Sequence, residues 1–449
     1  MVVKSPNYSS LTTNYELQTT MNYIKQVLYE LKNQKMMTWV SISGTALAIF
    51  LIMALFMADR LKQLEISPMS ERDRILTGQG IDFSDGEGSS ASGMGIDFEL
   101  AKNLYTNLDG VERISFVKII WGKWGAGLRN GESVASEVMG VDDEFWKIYD
   151  YNFISGKPFE PEEIESALKL AVITESLARS IFKDTDVAGR EIYIDDAPYM
   201  IKGVVEDQYP LLQDGSIGVF ITFVPEAQSN YYEGVFGNTN VRLLLKEKVD
   251  PKYIKQQVAK RYDDLNRISE KEKKKFTYHD QPYTSEDLNS GSFGSNNNPH
   301  VREKRIERGL YYTFLLLLPA INLSSMTRSR LRHRISEIGV RRAFGAKKRN
   351  IISQIFMENF LISLVGGFLG LGFSILFLLF MSEYFITNVD IMSESMVKID
   401  VTPVIWNIFD WATFFITIGA CFVLNILSAT LPAWRASSVE PALAISKSK

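Results

Sequence analysis

The chain contains 449 residues, of which 46% are hydrophobic and 23% are charged, and its formal net charge is -4. A mean hydropathy of -0.04 is typical of a protein that joins membrane-spanning helices to a large soluble domain. A single cysteine excludes a disulfide framework, and three scattered histidines argue against a zinc site. We therefore predict that the chain itself carries no metal and no cofactor.

Residues 1–35 are predicted to be a cytoplasmic tail that ends in an amphipathic helix. This helix either lies on the inner membrane surface or is an ordinary cytoplasmic helix. Its apolar residues recur at helical spacing, at Ile24, Val27, Leu28 and Leu31. Residues 36–58 carry no charge and are long enough for the first transmembrane helix. This run is too long and too far from Met1 for a cleaved signal peptide, so we expect an uncleaved anchor.

Residues 59–308 are predicted to form a large extracytoplasmic α+β domain, because short strand-like runs alternate there with amphipathic helical runs. The predicted strands cover residues 111–120, 134–141, 170–173, 191–194, 199–205, 219–223 and 241–245. The predicted helices cover residues 98–108, 144–149, 175–182 and 251–268. Two stretches rich in glycine, serine and asparagine, residues 78–95 and 285–298, are predicted to be loops.

Within this domain, residues 60–140 and 238–308 are expected to pair into one subdomain, with residues 141–237 inserted between them. Asp142 or Asp143 is expected to cap the short helix at 144–149. A cluster of five aromatic residues is more often part of a hydrophobic core than of a ligand site. Its members are Phe145, Trp146, Tyr149, Tyr151 and Phe153.

Three further uncharged runs follow the domain and predict transmembrane helices two, three and four. They cover residues 309–327, 359–382 and 411–434. Glycines in the third helix predict close helix packing, since small residues let membrane helices approach one another. These glycines are Gly366, Gly367, Gly370 and Gly372. The absence of charge within the runs argues against an intramembrane ion relay, and so against a secondary transporter.

The segment between helices two and three, residues 328–358, fixes the predicted topology. Up to residue 357 it carries nine Lys or Arg and one Glu, and such basic segments stay in the cytoplasm. The acidic loop at 383–410 is then outside, and the tail at 435–449 is inside. The fold class predicted here is a membrane protein with four transmembrane α-helices and a large α+β extracytoplasmic domain between the first and second. Because the basic segment adjoins the membrane, topology explains its charge better than nucleic-acid binding does.

The sequence contains no recognisable catalytic constellation. The GxxxxGK[ST] spacing that lets a loop cradle phosphate is missing at residues 156–158 and at 345–348. The serines lack a nucleophile elbow with a partner histidine. We therefore predict a non-catalytic chain that does not itself bind ATP.

The basic segment and its surroundings resemble a known family. The sequence SEIGVRRAFGAKKRNIISQIFMENFLISLVGGFLGLGFS at 336–374 resembles the signature of MacB/FtsX-type ABC transporter permeases. The C-terminal LPAWRASSVEPALAI is similar to the closing segment of that family, with Ile445 in place of a leucine. The external stretches GVDDEFWKIYDYNFISGKPF, AVITESLARSIF, AGREIYI and MIKGVVED resemble a MacB-type periplasmic domain. Two departures are Phe344, where the family usually has leucine, and the missing ATPase that MacB carries on the same chain.

The resemblance implies a permease that works with a separate ABC ATPase, which would bind the ATP and Mg²⁺. It also implies a second permease subunit, either an identical chain or a paralogue. The basic helix would contact the ATPase, with Phe344 as an apolar plug and Gly345 ending the helix. The alternative for this helix is a membrane-surface helix with no protein partner. The implied contact residues are Glu337, Ile338, Gly339, Arg341, Arg342, Ala343, Phe344, Gly345 and Ala346.

The function that we predict from this resemblance is mechanical transmission in the bacterial inner membrane. ATP-driven motion would reach the periplasmic domains and drive efflux of a small molecule or peptide, or release of a lipoprotein. A periplasmic adaptor and an outer-membrane channel are further partners under this reading, besides the lipid membrane. The alternative is an FtsX-like regulator that controls a periplasmic hydrolase. The external segment of about 250 residues favours the MacB type, because FtsX-type external domains are usually smaller.

Overall fold

The computed structural model describes residues 35–61, 65, 67–84, 90–129, 131, 133–208, 217–225, 234–290, 301–333, 338, 340, 343, 344, 347–388 and 411–437. These residues divide into two compact units. The helical unit contains the described parts of residues 35–60, 307–382 and 411–437. The second unit contains the described parts of residues 61–306, which we call the sheet domain, together with residues 383–388.

The strands of the sheet domain are short, apart from β4. They are β1 Ile75–Gly78, β2 Ile81–Ser84, β3 Ser90–Gly93, β4 Val111–Gly127, β5 Ser133–Val141, β6 Phe153–Gly156, β7 Leu170–Thr174, β8 Glu191–Ile194, β9 Ala197–Val205, β10 Ile217–Thr222, β11 Thr239–Leu245 and β12 Lys275–Thr277. The helices of the chain are α1 Lys35–Leu61, α2 Phe98–Tyr105, α3 Phe145–Ile148, α4 Pro161–Glu165, α5 Glu175–Phe182, α6 Pro251–Ser269, α7 Ser285–Ser290, α8 Val301–His333, α9 Lys348–Asn388 and α10 Trp411–Ser437.

Among the described residues, nine strands form one mixed sheet. Its order is β1-β11-β4-β5-β10-β7-β9-β6, and β8 pairs with β4 and β9 outside this path. The β5–β10 and β7–β9 pairs are parallel, whereas β11 is antiparallel to both β1 and β4. A second, three-stranded sheet has the order β12-β2-β3. This architecture confirms the predicted α+β domain. The subdomain boundaries at 140 and 238 stay a prediction, and strands from all three predicted segments join the large sheet.

The two faces of the large sheet pack against different helices. Neighbouring residues on a strand point to opposite faces, so they enter different hydrophobic clusters. Leu244 packs in the cluster that contains Phe145 of α3, whereas Leu243 packs with α2 and α6. Val172 and Ile173 divide in the same way, with Ile173 packing against α5. Helix α3 therefore covers one face, and α2, α6 and α5 cover the other.

Most of the predicted elements are confirmed. The strands predicted at 191–194 and 199–205 are β8 and β9, which pair antiparallel as a hairpin. Its turn residues Asp195 and Asp196 have φ values of 46° and 67°, the left-handed conformation that a two-residue hairpin turn requires. The predicted helix at 98–108 is α2, and the Asp97 carboxylate caps it by accepting a hydrogen bond of 3.0 Å from the Glu99 backbone N–H.

The predicted loop at 78–95 is wrong, because β2 and β3 lie within it and pair antiparallel. Ile81 and Phe83 of β2 are buried, and they alternate with less buried polar residues. This alternation spans only four residues between glycines, so the flanking glycines concealed the strand. The second predicted loop, at 285–298, begins with helix α7, and its residues 291–298 lie outside the described part of the chain.

The helical unit contains two helices that are long and apolar enough to cross a membrane, as judged over the described residues. They are Lys35–Met57 of α1 and Lys348–Phe377 of α9. A shorter apolar segment, Trp411–Leu424, lies in α10. The remaining predicted run, 309–327, lies within α8.

Helices α1 and α9 run in the same direction and touch through glycine. A Cβ atom added at Gly366 would lie 2.9 Å from the Thr45 Cβ, and one added at Gly370 would lie 2.5 Å from the Ala46 carbonyl oxygen. Phe360 and Phe368 of α9 meet Phe422 and Phe414 of α10, with ring centroids 5.1 and 5.6 Å apart, so α10 runs antiparallel to α9. The predicted topology requires these same relative directions.

The predicted glycine packing face is confirmed at three of its four positions. A Cβ at Gly367 would lie 2.7 Å from the Ile418 side chain, so this glycine faces α10, whereas Gly366 and Gly370 face α1. The prediction is wrong for Gly372, because no other atom lies within 4 Å of a Cβ placed there. The difference follows from the helical period, since Gly372 is turned about 200° from Gly370 around the helix axis.

Candidate functional site

The structure describes three of the nine residues that the sequence analysis assigns to the cytoplasmic contact. These are Ile338, Ala343 and Phe344. The other six lie outside the described residues, namely Glu337, Gly339, Arg341, Arg342, Gly345 and Ala346. In the described part of the chain, this contact region consists of Ile338, Val340, Ala343 and Phe344, together with the start of α9.

Ile338 anchors this segment to helix α9. Its side chain is buried and forms a small apolar cluster with Ile351 and Ile355. Ile351 and Ile355 are four residues apart, so they lie on the same face of α9. Further along α9, the buried Ile362 and then the glycines that touch α1 and α10 follow these two residues. The segment is therefore connected by packing to the centre of the helical unit.

Phe344 has the opposite environment. Its side chain is 88% exposed, and Ala343 beside it is also exposed. The Phe344 backbone N–H donates a 3.0 Å hydrogen bond to the Val340 carbonyl, which is the spacing of a helical turn. Val340, four residues earlier, is 42% exposed, so two apolar side chains of one helical face are open to solvent. The sequence analysis did not include Val340, although its position four residues before Phe344 could have indicated it.

Buried polar residues lie on α1 and α9 toward the cytoplasmic end that the sequence predicts. Glu358 is only 4% exposed, and Asn359 and Ser363 are also buried. On α1, Ser41 is buried and its hydroxyl donates to the Met37 carbonyl over 2.8 Å. Glu358 lies just before the uncharged run at 359–382, so the sequence analysis missed it as a buried residue. An ionisable group buried among apolar helices is a candidate for a functional role.

The aromatic cluster of the sheet domain is core, as predicted. Phe145 and Tyr149 have ring centroids 4.6 Å apart, and Phe145 and Phe220 are 5.8 Å apart. The rings of Trp146 and Tyr151 also pack against Phe220, with centroid distances of 5.4 and 5.3 Å. All of these rings belong to the hydrophobic cluster on the α3 face of the large sheet. Among the described residues, no group of three or more His, Cys, Asp or Glu side chains is arranged to hold a metal ion.

Of the two predicted capping residues, Asp142 binds the first backbone N–H of the short helix α3, although the N-cap position itself is Glu144. The Asp142 carboxylate accepts hydrogen bonds from the Phe145 backbone N–H at 3.0 Å, the Phe116 backbone N–H at 2.7 Å and the Ser115 hydroxyl at 2.6 Å. It thereby ties α3 to strand β4. Burial raises the pKa of Asp142 to about 6, although the three hydrogen bonds act in the opposite direction.

We expect Asp142→Asn to destabilise the sheet domain by about 1–3 kcal/mol, because an amide nitrogen would face a backbone N–H donor. The raised pKa also predicts a pH effect. A carboxyl group whose pKa is higher in the folded state stabilises the protein most when protonated, so its contribution falls as the pH rises through about 6. The difference in melting temperature between wild type and variant should therefore widen when the pH is lowered from 7.5 to 5.

The matched control is Asp143→Asn, because Asp143 pairs with Lys147 at 2.9 Å on the surface side of α3. Thermal unfolding of the two detergent-solubilised variants and the wild type at both pH values gives the comparison. A constant difference between wild type and Asp142→Asn would show that the hydrogen bonds outweigh burial and that the pKa is not raised.

Comparison with family profiles divides the chain much as the sequence analysis does. Residues 38–261 match the MacB-like periplasmic core domain. Residues 309–441 match the FtsX-like permease C-terminal domain. The two matches follow one another in chain order, and the second contains the segment with Ile338 and Phe344.

Relatives with curated names are similar at low identity. The macrolide export ATP-binding/permease protein MacB of Haemophilus ducreyi is 23% identical over 316 residues, which cover 70% of this chain and 41% of that protein. A second such protein, MacB 1 of Yersinia pestis bv. Antiqua, is 23% identical over 348 residues, which cover 76% of this chain and 50% of that protein. The chain thus spans half or less of the length of these relatives.

Among solved structures, the periplasmic region of MacB from Actinobacillus actinomycetemcomitans is 12% identical, with a TM-score of 0.35, over 49% of this chain and 92% of that chain. The two profile matches together cover most of the sequence. The chain belongs to the MacB/FtsX-type family of ABC transporter permeases.

Proposed function

We propose that this chain is the permease subunit of a bacterial inner-membrane transporter, and that it transmits the motion of an ABC ATPase to its extracytoplasmic domain. The observation that carries the proposal is the exposed Phe344 on a segment that Ile338 anchors to α9. Phe344 is an exposed apolar side chain close to the buried Ile338. Exposed apolar side chains on a fixed segment are typical of protein-binding surfaces.

The packing of the helical unit suggests the route of transmission. A force on the segment reaches Ile351 and Ile355 of α9 through Ile338. Helix α9 touches the backbone of α1 at Gly366 and Gly370, so a displacement passes between them with little side-chain rearrangement. Helix α1 ends at Leu61, and the sheet domain follows directly along the chain.

The proposal includes four membrane spans, with both termini in the cytoplasm and the sheet domain in the periplasm. Its support is the basic segment between the second and third spans and the acidic loop after the third. It also includes a second permease subunit, identical or paralogous. The 449 residues contain no GxxxxGK[ST] motif, so the ATP and Mg²⁺ would bind to an ATPase that lies outside this sequence.

The transported substrate is proposed only as a class, either a small molecule or peptide for efflux or a lipoprotein for release. The two relatives are macrolide export proteins, so macrolides are the first compounds to test. A periplasmic adaptor and an outer-membrane channel belong to the efflux form of the proposal. The second candidate function is an FtsX-like regulator of a periplasmic hydrolase. The match of residues 309–441 to the FtsX-like permease C-terminal domain supports this alternative.

Affinity purification of the detergent-solubilised chain from its native membrane, followed by mass spectrometry, tests the proposal. We expect a Walker-motif ATPase in amounts comparable to the permease. An accompanying adaptor or lipoprotein would select between efflux and lipoprotein release, and an accompanying hydrolase would select the regulator. Recovery of a second permease without any ATPase would contradict the proposal, because the complex would be intact and the motor absent.

A further inference from the structure

Residues 278–284, which we call the clasp, connect strand β12 to helix α7 and are bound to the rest of the sheet domain at several buried points. The backbones of Thr77 and Tyr283 exchange two hydrogen bonds, of 2.8 and 2.7 Å. The fully buried Gln281 accepts from the Gln79 backbone N–H at 2.8 Å and from the Tyr105 hydroxyl at 3.2 Å. The clasp is therefore bound to Thr77 of β1, to Gln79 just after β1 and to Tyr105 of α2 by hydrogen bonds that are wholly or partly buried.

Lys255 of α6 is the charged centre of this attachment. Its ammonium group lies 2.7 Å from an Asp280 carboxylate oxygen and 2.8 Å from an Asp287 carboxylate oxygen. The side chains of Lys255 and Asp287 are each only 11% exposed. Removing the lysine would leave the Asp287 carboxylate buried without its counter-charge, which is strongly unfavourable. The two ion pairs of Lys255 therefore hold the clasp and the start of α7 in one position relative to α6.

The Asp287 carboxylate also takes part in the hydrogen bonds at the start of helix α7. Asp287 accepts a 2.8 Å hydrogen bond from the Thr284 backbone N–H, and the Thr284 hydroxyl accepts one of 3.1 Å from the Asp287 backbone N–H. This reciprocal arrangement is a capping box, which fixes the start of a helix. Lys255 thus orients α7 as well as the clasp, because it binds Asp287, the residue of α7 that completes the capping box with Thr284.

Helix α7 in turn holds the beginning of α8. The Arg305 guanidinium of α8 binds the Glu286 carboxylate through two N–H groups, and the bond from its Nε is 2.7 Å long. A two-bonded arginine–carboxylate pair restricts the angle between its partners as well as their distance. Glu286 and Asp287 are neighbours, so the connection runs from Arg305 through α7 to Lys255 and α6.

We propose that this chain of ion pairs is the joint that fixes the first turns of α8 to the sheet domain, with Lys255 and Arg305 as its positioning residues. The first turns of α8, up to Ile306, then keep one orientation relative to α6 and α7 of the same unit. The inference rests on the proposed transmission function for its purpose, but the joint itself is a property of the sheet domain and can be measured without any ATPase.

Distances between spin labels test the joint in the purified full-length chain. Labels are placed on Gln256→Cys in α6 and Arg302→Cys in α8, two exposed positions, in a Cys421→Ala background that removes the single native cysteine. We expect one narrow distance distribution for this protein. Arg305→Glu should broaden it at least twofold, and the exchanged pair Glu286→Arg with Arg305→Glu should restore it. Lys255→Met should broaden it further.

The exchanged pair keeps the test decisive if Lys255→Met fails to fold, because Glu286 and Arg305 are exposed. Arg179→Glu breaks the surface pair with Glu175 on α5 and should leave the distances unchanged. An unchanged distribution in Arg305→Glu, or broadening that the exchanged pair does not reverse, would overturn the joint. Absence of an ATPase from the purified complex would contradict the proposed function but would not alter these distances.

Discussion

Replacing Gly370 by valine is expected to separate helix α1 from α9 and to prevent the helical unit from packing normally. A Cβ at this position would lie 2.5 Å from the Ala46 carbonyl oxygen and 3.0 Å from the Phe50 backbone nitrogen. These are backbone atoms of a helix, so they cannot rotate away as a flexible side chain would. Overpacking commonly costs about 1–3 kcal/mol, and a clash with backbone belongs at or above the upper end of that range.

The expected result is a clearly lower melting temperature and a smaller yield of monodisperse protein in detergent. Thermal unfolding followed by fluorescence, together with size-exclusion chromatography, measures both. The matched control is Gly372→Val on the same helix, because no other atom lies within 4 Å of a Cβ there. Equal melting temperatures and equal yields for the two variants would mean that α1 and α9 do not touch at Gly370.

Replacing Phe344 by aspartate is expected to uncouple the permease from its ATPase without unfolding it. The side chain is 88% exposed, so the substitution removes little internal packing from the isolated chain. In the proposed complex, the same position would bury an unpaired carboxylate in an apolar groove of the ATPase, at a cost of several kcal/mol. Membrane insertion and expression should be maintained, whereas ATPase recovery and stimulated hydrolysis should fall at least tenfold.

Two controls separate docking from general damage. Phe344→Leu keeps an apolar side chain, the residue that the family usually has, and should retain ATPase recovery. Ile338→Asp changes the buried anchor instead, and it should also destabilise the helical unit, because Ile338 packs on Ile351 and Ile355. If Phe344→Asp copurifies the same amount of ATPase as the wild type, this segment is not the docking surface.

The sequence predicted the elements whose local signals agree with their tertiary environment. The β8–β9 hairpin is an example, since two strand-like runs flank an Asp-Asp turn that adopts the left-handed conformation. Strand β2 was missed because its pairing with β3 and its burial against Phe276 and Phe236 are not encoded in its own four residues. Sheet order was also beyond the sequence, since β11 pairs with β1 and β4 across a long stretch of chain.

For the candidate site, the sequence indicated the exposed Phe344 through its place in a family signature. Ile338 was predicted only as an ATPase contact through the same resemblance, and its packing against Ile351 and Ile355 of α9 required the structure. Glu358 was missed because the predicted transmembrane helix was limited to the uncharged run that starts at residue 359. The burial of Glu358 depends on the helices packed around it, which the uncharged run does not reveal. The ion pairs around Lys255 join residues far apart in sequence, and no local pattern predicts such a group.

The position of β11 between β1 and β4 affects how the chain folds during synthesis. This strand lies between β1 and β4, yet it follows both of them by more than a hundred residues of chain. During synthesis, β1 and β4 reach the far side of the membrane with their facing edges unpaired, and they wait for β11 to arrive. Exposed strand edges pair readily with other chains. The interval before β11 emerges is therefore the period in which a nascent chain is most prone to aggregate or to need a chaperone.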